Sequence, residues 1–436
     1  MRILIYGINY APDLTGIGKY TGEMASWLVK SGHTVHAITA MPYYPQWQIK
    51  EAYKGKWWHK EYMDGVKVYR CPLYVPQKVS SLKRIIHEFS FVLSTVPVWL
   101  RMFFSRKYDV VISVAPPFHL GFLPLIYSNL KRTKLITHIQ DLQVDVAKQL
   151  GMIKNSKFLN LMLALEKFIL KRSTSVSTIS RGMKTKIESK GIDSSKCVIF
   201  PNWVDEKIVF PVGKNGSLRK EFGFTNEDKV ILYSGNLGEK QGLENIIEVA
   251  KNFSEETNVK FVIIGNGGCE DKLKLAANNA GLNNIYFHGL LPYEKLSASL
   301  AMADLHLVLQ KKHAEDLVMP SKLISILAAG GCPLVTASPG SSLHDLISKN
   351  DMGIVVDPDD AVALNEGIRS ALKKNLESLR HNARSYAKKF LAKEQILKNW
   401  ELKLFRLAGI TPLRKPEITF SFRTDTHTLT DQQEYA

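Results

Sequence analysis

The sequence has few cysteines, and none stands near another. Cys71, Cys197, Cys269 and Cys332 are far apart, which excludes a disulfide-framed secreted fold and any zinc site built on paired cysteines. They are expected as small core residues in a reducing compartment. Long hydrophobic runs are also missing. The nearest candidate, Ile85 to Phe104, is interrupted by His87, Glu88, Pro97 and Arg101, so a membrane span is not expected. The opening Met1–Gly7 stretch carries no small-residue cleavage site and does not read as a secretory signal. Neither a dinucleotide fingerprint nor a phosphate loop of the Gly-Lys-Ser/Thr type occurs, so NAD and ATP find no support. None of the common DNA- or RNA-binding motifs is present, and nucleic acid is not expected as a partner.

Acidic residues are in short supply. Forty-one Asp and Glu face 58 Lys and Arg, for a net charge of +17, which favours an anionic partner such as a phosphorylated substrate or an acidic lipid. The excess is local: residues 43 to 107 hold twelve Lys/Arg against four Asp/Glu.

What the chain does have is rhythm. Short Val- and Ile-rich runs such as Ile3–Tyr6, Val110–Val114, Val230–Ser234 and Lys260–Ile264 alternate with longer stretches of helical spacing. Runs this apolar suit strands buried on both faces, and their alternation with helices predicts α/β units with parallel sheets. The pattern of strand, glycine loop and helix restarts near residue 230, and 436 residues accommodate two such domains. The boundaries expected are 1–205 and 206–380, with a linker from Pro201 to about Thr225, helices over 381–411 and a poorly ordered polar tail over 412–436.

Four segments carry the candidate chemistry. The first is Asp13-Leu14-Thr15-Gly16-Ile17-Gly18-Lys19-Tyr20, where glycines before a helix can admit an anion to its N-terminus. The second, Gly235-Asn236-Leu237-Gly238-Glu239-Lys240, follows a buried strand at the end where parallel sheets bind ligands, and Lys240 can reach a phosphate. The third is Gly265-Asn266-Gly267-Gly268. In the fourth, Asp316 precedes Pro320, Ser321 and Lys322, which open an apolar helix. A cation in a first helical turn opposes the helix dipole, and a phosphate partner would account for it. In the first half, His138 and Asp141 sit at the end of a buried strand, suited to a cleft.

These segments in order, with STISRGM at 177–183 and PNWVD at 201–205 between them, resemble the retaining family-4 glycosyltransferases, and most of all the WcaI-like branch associated with colanic acid and related exopolysaccharides. The resemblance covers about residues 1 to 405. It implies an α/β GT-B fold, two Rossmann-like doubly wound parallel-sheet domains facing a cleft, with a C-terminal helix crossing back to the first. It further implies a nucleotide-sugar donor bound mainly by the second domain, with no cofactor and no essential metal. Gly16 and Gly18 would lie near the donor phosphates. Asn236, Lys240 and Lys322 would meet the diphosphate, with Pro320 and Ser321 beside them. Gly265, Asn266, Gly267 and Leu291 would border the nucleoside. His138, Asp141 and Asp316 are the candidate catalytic groups. Two departures stand out: many relatives have two glutamates where this chain has Leu317 and Ser325, and a His-Asp pair where it has Gln140-Asp141.

The resemblance favours a GDP-sugar such as GDP-fucose, then a UDP-hexose, as donor. A polyprenyl-diphosphate-linked glycan is the expected acceptor, at the anionic inner face of the cell membrane. An epimerase or hydrolase of the same fold, or a degenerate scaffold of an assembly complex, are the alternatives. Tyr43 to Tyr62 holds seven aromatics interleaved with Lys50, Lys54, Lys56 and Lys60, and is expected as a loop that stacks on sugars or rests among lipid headgroups. For Ile85 to Phe104, a core-packed helix and an interfacial helix are both compatible with the sequence.

Overall fold

A computed structural model describes residues 1–412, apart from Leu14, Thr15, Val79, Leu150, Met152, Lys154 and Val318. The chain divides into two compact units. One comprises Met1–Pro201 together with the described residues from Leu397 onward, and the other Asn202–Ile396. The expected tail lies outside the described residues except for Pro412.

The first unit holds an eight-stranded sheet. Its strands are β1 (Arg2–Tyr6), β2 (Thr34–Ala40), β3 (His59–Met63), β4 (Val66–Cys71), β5 (Val110–Ala115), β6 (Lys134–Ile139), β7 (Ser175–Thr178) and β8 (Cys197–Ile199). Their order is β3-β4-β2-β1-β5-β6-β7-β8. All pairs are parallel except β3 with β4. Every residue of β5 is buried, as a central strand covered on both faces requires. On one face Leu4, Tyr6, Ile38, Tyr69 and Val111 pack against Phe91, Val98, Trp99 and Met102 of the helix Ser81–Phe104.

The antiparallel edge strand is added to the expected parallel sheet, and it takes His59–Tyr62 out of the stretch expected as a loop. Arg70 supplies the reason. Its guanidinium is buried, donates from Nε to Glu61 of β3 at 2.7 Å, and from its Nη atoms to the carbonyls of Ala40 and Ala11. A buried arginine needs such partners, and the β3–β4 hairpin brings one to it.

The second unit holds β9 (Lys229–Ser234), β10 (Val259–Ile264), β11 (Ile285–His288), β12 (Leu305–Val308), β13 (Pro333–Thr336) and β14 (Ile354–Val356), in the all-parallel order β11-β10-β9-β12-β13-β14. The period of two is explicit in β9. Val230 and Leu232 join the core beneath the helix Ser321–Ala328, whereas Ile231 and Tyr233 join the core beneath Glu244–Lys251.

The stretch expected as a linker is instead part of this unit. Trp203, Val204 and Val209 are buried. Arg219 is also buried, donating to the carbonyls of Met302, Thr225 and Asp228 and to the Asp304 carboxylate at 2.7–3.0 Å. The helices expected over 381–411 divide as well. Glu377–Phe390 belongs to the second unit, and the last helix, Lys393–Ala408, belongs to the first from Leu397 onward. There Trp400 stacks on Phe200 with ring centroids 4.1 Å apart, and Glu401 meets His33 at 2.7 Å.

Candidate functional site

In an open parallel sheet, ligands bind beyond the carboxyl ends of the strands where the strand order reverses direction. In the second unit that point lies at β9, which has β10 on one side and β12 on the other. The loops that leave these three strands are the ones the sequence singles out.

The loops after β9 and β10 are packed backbone against backbone. Gly235 donates its N–H to the Ile264 carbonyl at 2.9 Å, and Leu237 donates to the Asn266 carbonyl at 3.0 Å. A Cβ on Gly265 would run into the carbonyl of Gly235, and one on Gly267 into the backbone of Leu237. Glycine is required at both positions because the two chains approach too closely for any side chain. Tyr233, buried at the end of β9, donates its hydroxyl to the Asn236 carbonyl at 2.7 Å and so holds the loop from beneath.

Above that ring lies Lys322, delivered by the helix that follows β12. Its Nζ is 3.5 Å from the Tyr233 ring centroid, within range of a cation–π contact. A Cβ on Gly235 would come 2.9–3.0 Å from the Lys322 Cε and Nζ. The amine is sealed from solvent and has no hydrogen-bond partner among the described residues. Burial pushes its pKa well below the ordinary lysine value. An unpaired buried ammonium is costly, and it marks a place that an anion can occupy.

The other predicted positions in this unit surround the same junction. Asn236 is exposed and Lys240 half-buried, the latter accepting the Lys311 N–H on its own carbonyl at 2.9 Å. Asn266 is exposed, with its Oδ1 3.6 Å from a Cβ built on Gly289, so the β10 and β11 loops are neighbours there. Leu291 and Pro320 are half-buried, and Ser321 is exposed. A broader groove of about 420 Å³, lined by Ala337, His344, Asp357 and Glu366, lies elsewhere in this unit and contains none of the predicted residues.

Asp316 does not present a free carboxylate. It sits in the left-handed region at φ 57° and accepts the N–H of Ser342 at 3.0 Å, while Glu315 accepts that of Ser338 at 2.6 Å. Together they hold the start of the helix Ser342–Lys349. Leu317 is core, so packing has taken the position where many relatives place a glutamate.

The first unit has its own reversal point, between β1 and β5. Gly16 adopts φ +61° with open space around it, a conformation that favours glycine. Gly18 is required by contact: a Cβ there would come 2.7 Å from Oδ2 of Asp13. Asp13 is buried. Lys50 stands 3.7 Å from it, near enough to pair in charge and too far for a hydrogen bond. Burial pushes the Asp13 carboxyl up to about 6, against the pull of Lys50 and Arg70. Asp13 heads the glycine segment, and nothing in the glycine pattern marks it as buried.

His138 is a core residue rather than a cleft residue, which corrects its candidate role. It is buried, and burial lowers its pKa to about 3. The neutral ring donates from Nδ1 to Ser177 at 3.0 Å and accepts from the Gln140 amide at 2.8 Å on Nε2, so both nitrogens are spent inside the protein. Asp141 lines a cavity of about 10 Å³ with Thr137, Gln143 and Glu166, room for a single water.

Comparison with known proteins agrees with this arrangement. Residues 215–390 match the model described as glycosyl transferases group 1, and residues 15–203 the glycosyl transferase 4-like domain. The chain is 41% identical over 92% of its length, and 98% of the relative's, to an Escherichia coli (strain K12) protein named as a colanic acid biosynthesis glycosyl transferase, WcaI. Among solved structures, sucrose-phosphate synthase from Thermosynechococcus elongatus superimposes with a TM-score of 0.73 at 16% identity, covering 94% of this chain and 99% of that one. Anabaena HepE in complex with UDP-glucose gives a TM-score of 0.69 at 15% identity, covering 93% and 100%. With two α/β units of this topology and these matches along both, the chain belongs to the family-4 glycosyltransferases of GT-B fold, close to WcaI.

Proposed function

We propose that this glycosyltransferase moves a hexosyl group, with retention at the anomeric carbon, from a nucleotide-diphosphate sugar to a lipid-linked glycan in exopolysaccharide assembly. The observation that carries this reading is the buried Lys322 amine, which has no hydrogen-bond partner among the described residues and lies over Gly235 where three strand-end loops meet. Cleavage of the sugar–phosphate bond builds negative charge on the leaving diphosphate. A buried amine already in place, protonated as the anion arrives in a site closed to water, stabilises that charge more in the transition state than in the ground state.

In this reading Lys322 and Lys240 neutralise the diphosphate, with Asn236, Ser321 and the start of the Pro320 helix around it. Asn266, Gly265, Gly267 and Leu291 border the nucleoside. Because lysines carry the charge, no metal is needed. Asp316 accepts the Ser342 N–H on Oδ1, and the reaction proposed is a front-face one in which the leaving phosphate itself takes the acceptor's proton. WcaI's name points to colanic acid, and the lipid-linked acceptor places the work at the anionic inner face of the cell membrane. A GDP-sugar such as GDP-fucose is the first donor choice. The UDP-glucose complex of HepE keeps a UDP-hexose as the second.

The test is thermal-shift binding of GDP, UDP, ADP and their sugar conjugates to the full chain in EDTA. A ligand at about 100 times its Kd adds about 2.7 kcal/mol of stability by mass action. Stabilisation by the guanine or the uracil set alone identifies the donor, and the anomeric proton coupling of the transfer product then reads retention. Folded protein that responds to none of them sinks the donor-site reading.

A further inference from the structure

The helix Ser81–Phe104 is apolar on two sides. One side packs into the first unit's core through Phe91, Val98, Trp99 and Met102. The opposite side carries Leu82, Ile86, Phe89, Leu93, Leu100 and Phe104, all exposed, with Leu93 at 70% and Phe104 at 84%. Pro97 is exposed in the gap between Leu93 and Leu100. Steps of three and four residues keep this row on one face. At 1.5 Å per residue it runs for roughly 33 Å. A surface helix of a soluble protein turns charged residues outward instead, so this face is built to be covered.

We propose that this row is a docking surface for an anionic lipid bilayer, with the helix lying in the headgroup layer. Three observations select lipid over a protein partner. Trp58 donates its indole N–H to the Ser94 carbonyl at 2.7 Å, which fixes the Trp57–Trp58 pair beside the middle of the row. Trp57 is 71% exposed, and tryptophan is the residue that settles at a membrane–water interface. Basic residues rim the row: Lys83 and Arg84 at one end, Arg101, Arg106 and Lys107 at the other, and Lys54, Lys56 and Lys60 around the tryptophans, all exposed.

The acidic residues of this region are mostly occupied. Glu61 pairs with Arg70, Glu88 is buried beside Arg84, and Glu51 pairs with Lys54 at 2.6 Å, leaving Asp64. Such a rim complements anionic headgroups. A second copy of the chain would bring the same cations against themselves. The helix does not cross the bilayer: among the described residues none is long and apolar enough to do so, and its inner face is held by the core. The inference deepens the membrane-face part of the proposed function and is tested apart from catalysis.

The experiment is co-sedimentation of the full chain with vesicles of phosphatidylglycerol and phosphatidylethanolamine, compared with phosphatidylcholine alone, at 0.1 and 0.5 M salt. The expected result is binding to the anionic vesicles alone, weakened by salt, and lowered at least ~10-fold in the Leu93→Gln/Leu100→Gln variant. Nucleotide-induced thermal shifts should be identical in both proteins, which shows that the variant is folded. Nucleotide binding without vesicle binding overturns this inference and leaves the donor reading intact; vesicle binding without nucleotide binding does the reverse. Concentration-dependent dimerisation that the double substitution abolishes assigns the face to self-association and also overturns it.

Discussion

The two units reverse their strand order at comparable places, yet they equip those places oppositely. At the β9 reversal a lysine amine lies buried with no hydrogen-bond partner among the described residues, above two backbones pressed together through glycines. At the β1 reversal the buried charge is a carboxylate, and Lys50 and Arg70 already act on it. One site lacks its counter-charge and the other contains it. Sheet topology supplies a crevice in both units, and the side chains that line it determine which charge it accepts. A buried amine without a partner sheds its proton rather than bear the full desolvation, and an incoming phosphate would return it, which is the basis for proposing the second unit as the phosphate site.

The largest expected effect breaks that contrast at its sharper end. Lys322→Ala should lower donor turnover by about 100-fold, as loss of a preorganised electrostatic contact does. It should leave the melting temperature unchanged or raised, because a buried polar amine with no hydrogen-bond partner among the described residues has been removed. Lys240→Ala, at a half-buried position, should cost at least ~10-fold with stability nearly unchanged. Equal activity in both variants would remove the phosphate-site assignment.

Next in size is the pH response of Asp13. Its carboxyl titrates near 6 in the fold and near 3.9 when unfolded. Between those values the folded state holds the extra proton, so wild-type stability falls as pH rises from about 4 to 6. Asp13→Asn escapes this loss. Its stability gain over wild type should be near zero at pH 4 and reach at most about 3 kcal/mol above pH 6. Urea unfolding of both proteins at the two pH values measures it. A gain independent of pH would mean that Lys50 and Arg70 hold the carboxyl at its ordinary value, and the contrast would then be one of pairing alone.

The smallest effect concerns how the lysine site is held. Tyr233→Phe keeps the ring beneath Lys322 and removes the hydroxyl that the Asn236 carbonyl accepts. The expected cost is about 1 kcal/mol of stability, with a few-fold rise in donor KM and little change in kcat. A change in kcat alone would place Tyr233 in the chemistry rather than beneath it.

Much of the fold was legible because buried parallel strands leave an unambiguous signature. Val230–Ser234 and Val110–Val114 can hardly be anything else, since continuous β-branched runs between glycine loops have few other homes. For His59–Met63 the turn is written locally, since Asp64 and Gly65, both at positive φ, join it to Val66–Cys71, but its place beside a buried arginine is not. It pairs to serve a buried arginine seven or more residues away, and its own alternation of Lys60 and Tyr62 with half-buried neighbours is weak. The linker reading of Pro201–Thr225 failed for the same reason: prolines and charges suggested solvent, whereas Arg219 is satisfied by carbonyls scattered from Thr225 to Met302.

Within the candidate site the glycines, Lys240 and Lys322 were readable from their position at strand ends, a matter of chain order. The roles of His138, Asp316 and Asp13 were not. A histidine at a strand end looks the same whether its nitrogens face a cleft or are spent on Ser177 and Gln140, and an aspartate looks the same whether it caps Ser342 or waits in water.

The sequence alone therefore determined the two α/β units, their strand runs and the glycine loops, because periodicity and backbone freedom are local properties of the chain. Only the tertiary structure decided which charged groups are paired, which are sealed from water, and that the helix Ser81–Phe104 turns a second apolar face outward. Pairing and burial depend on what the rest of the fold brings within a few ångströms, and no local pattern records that.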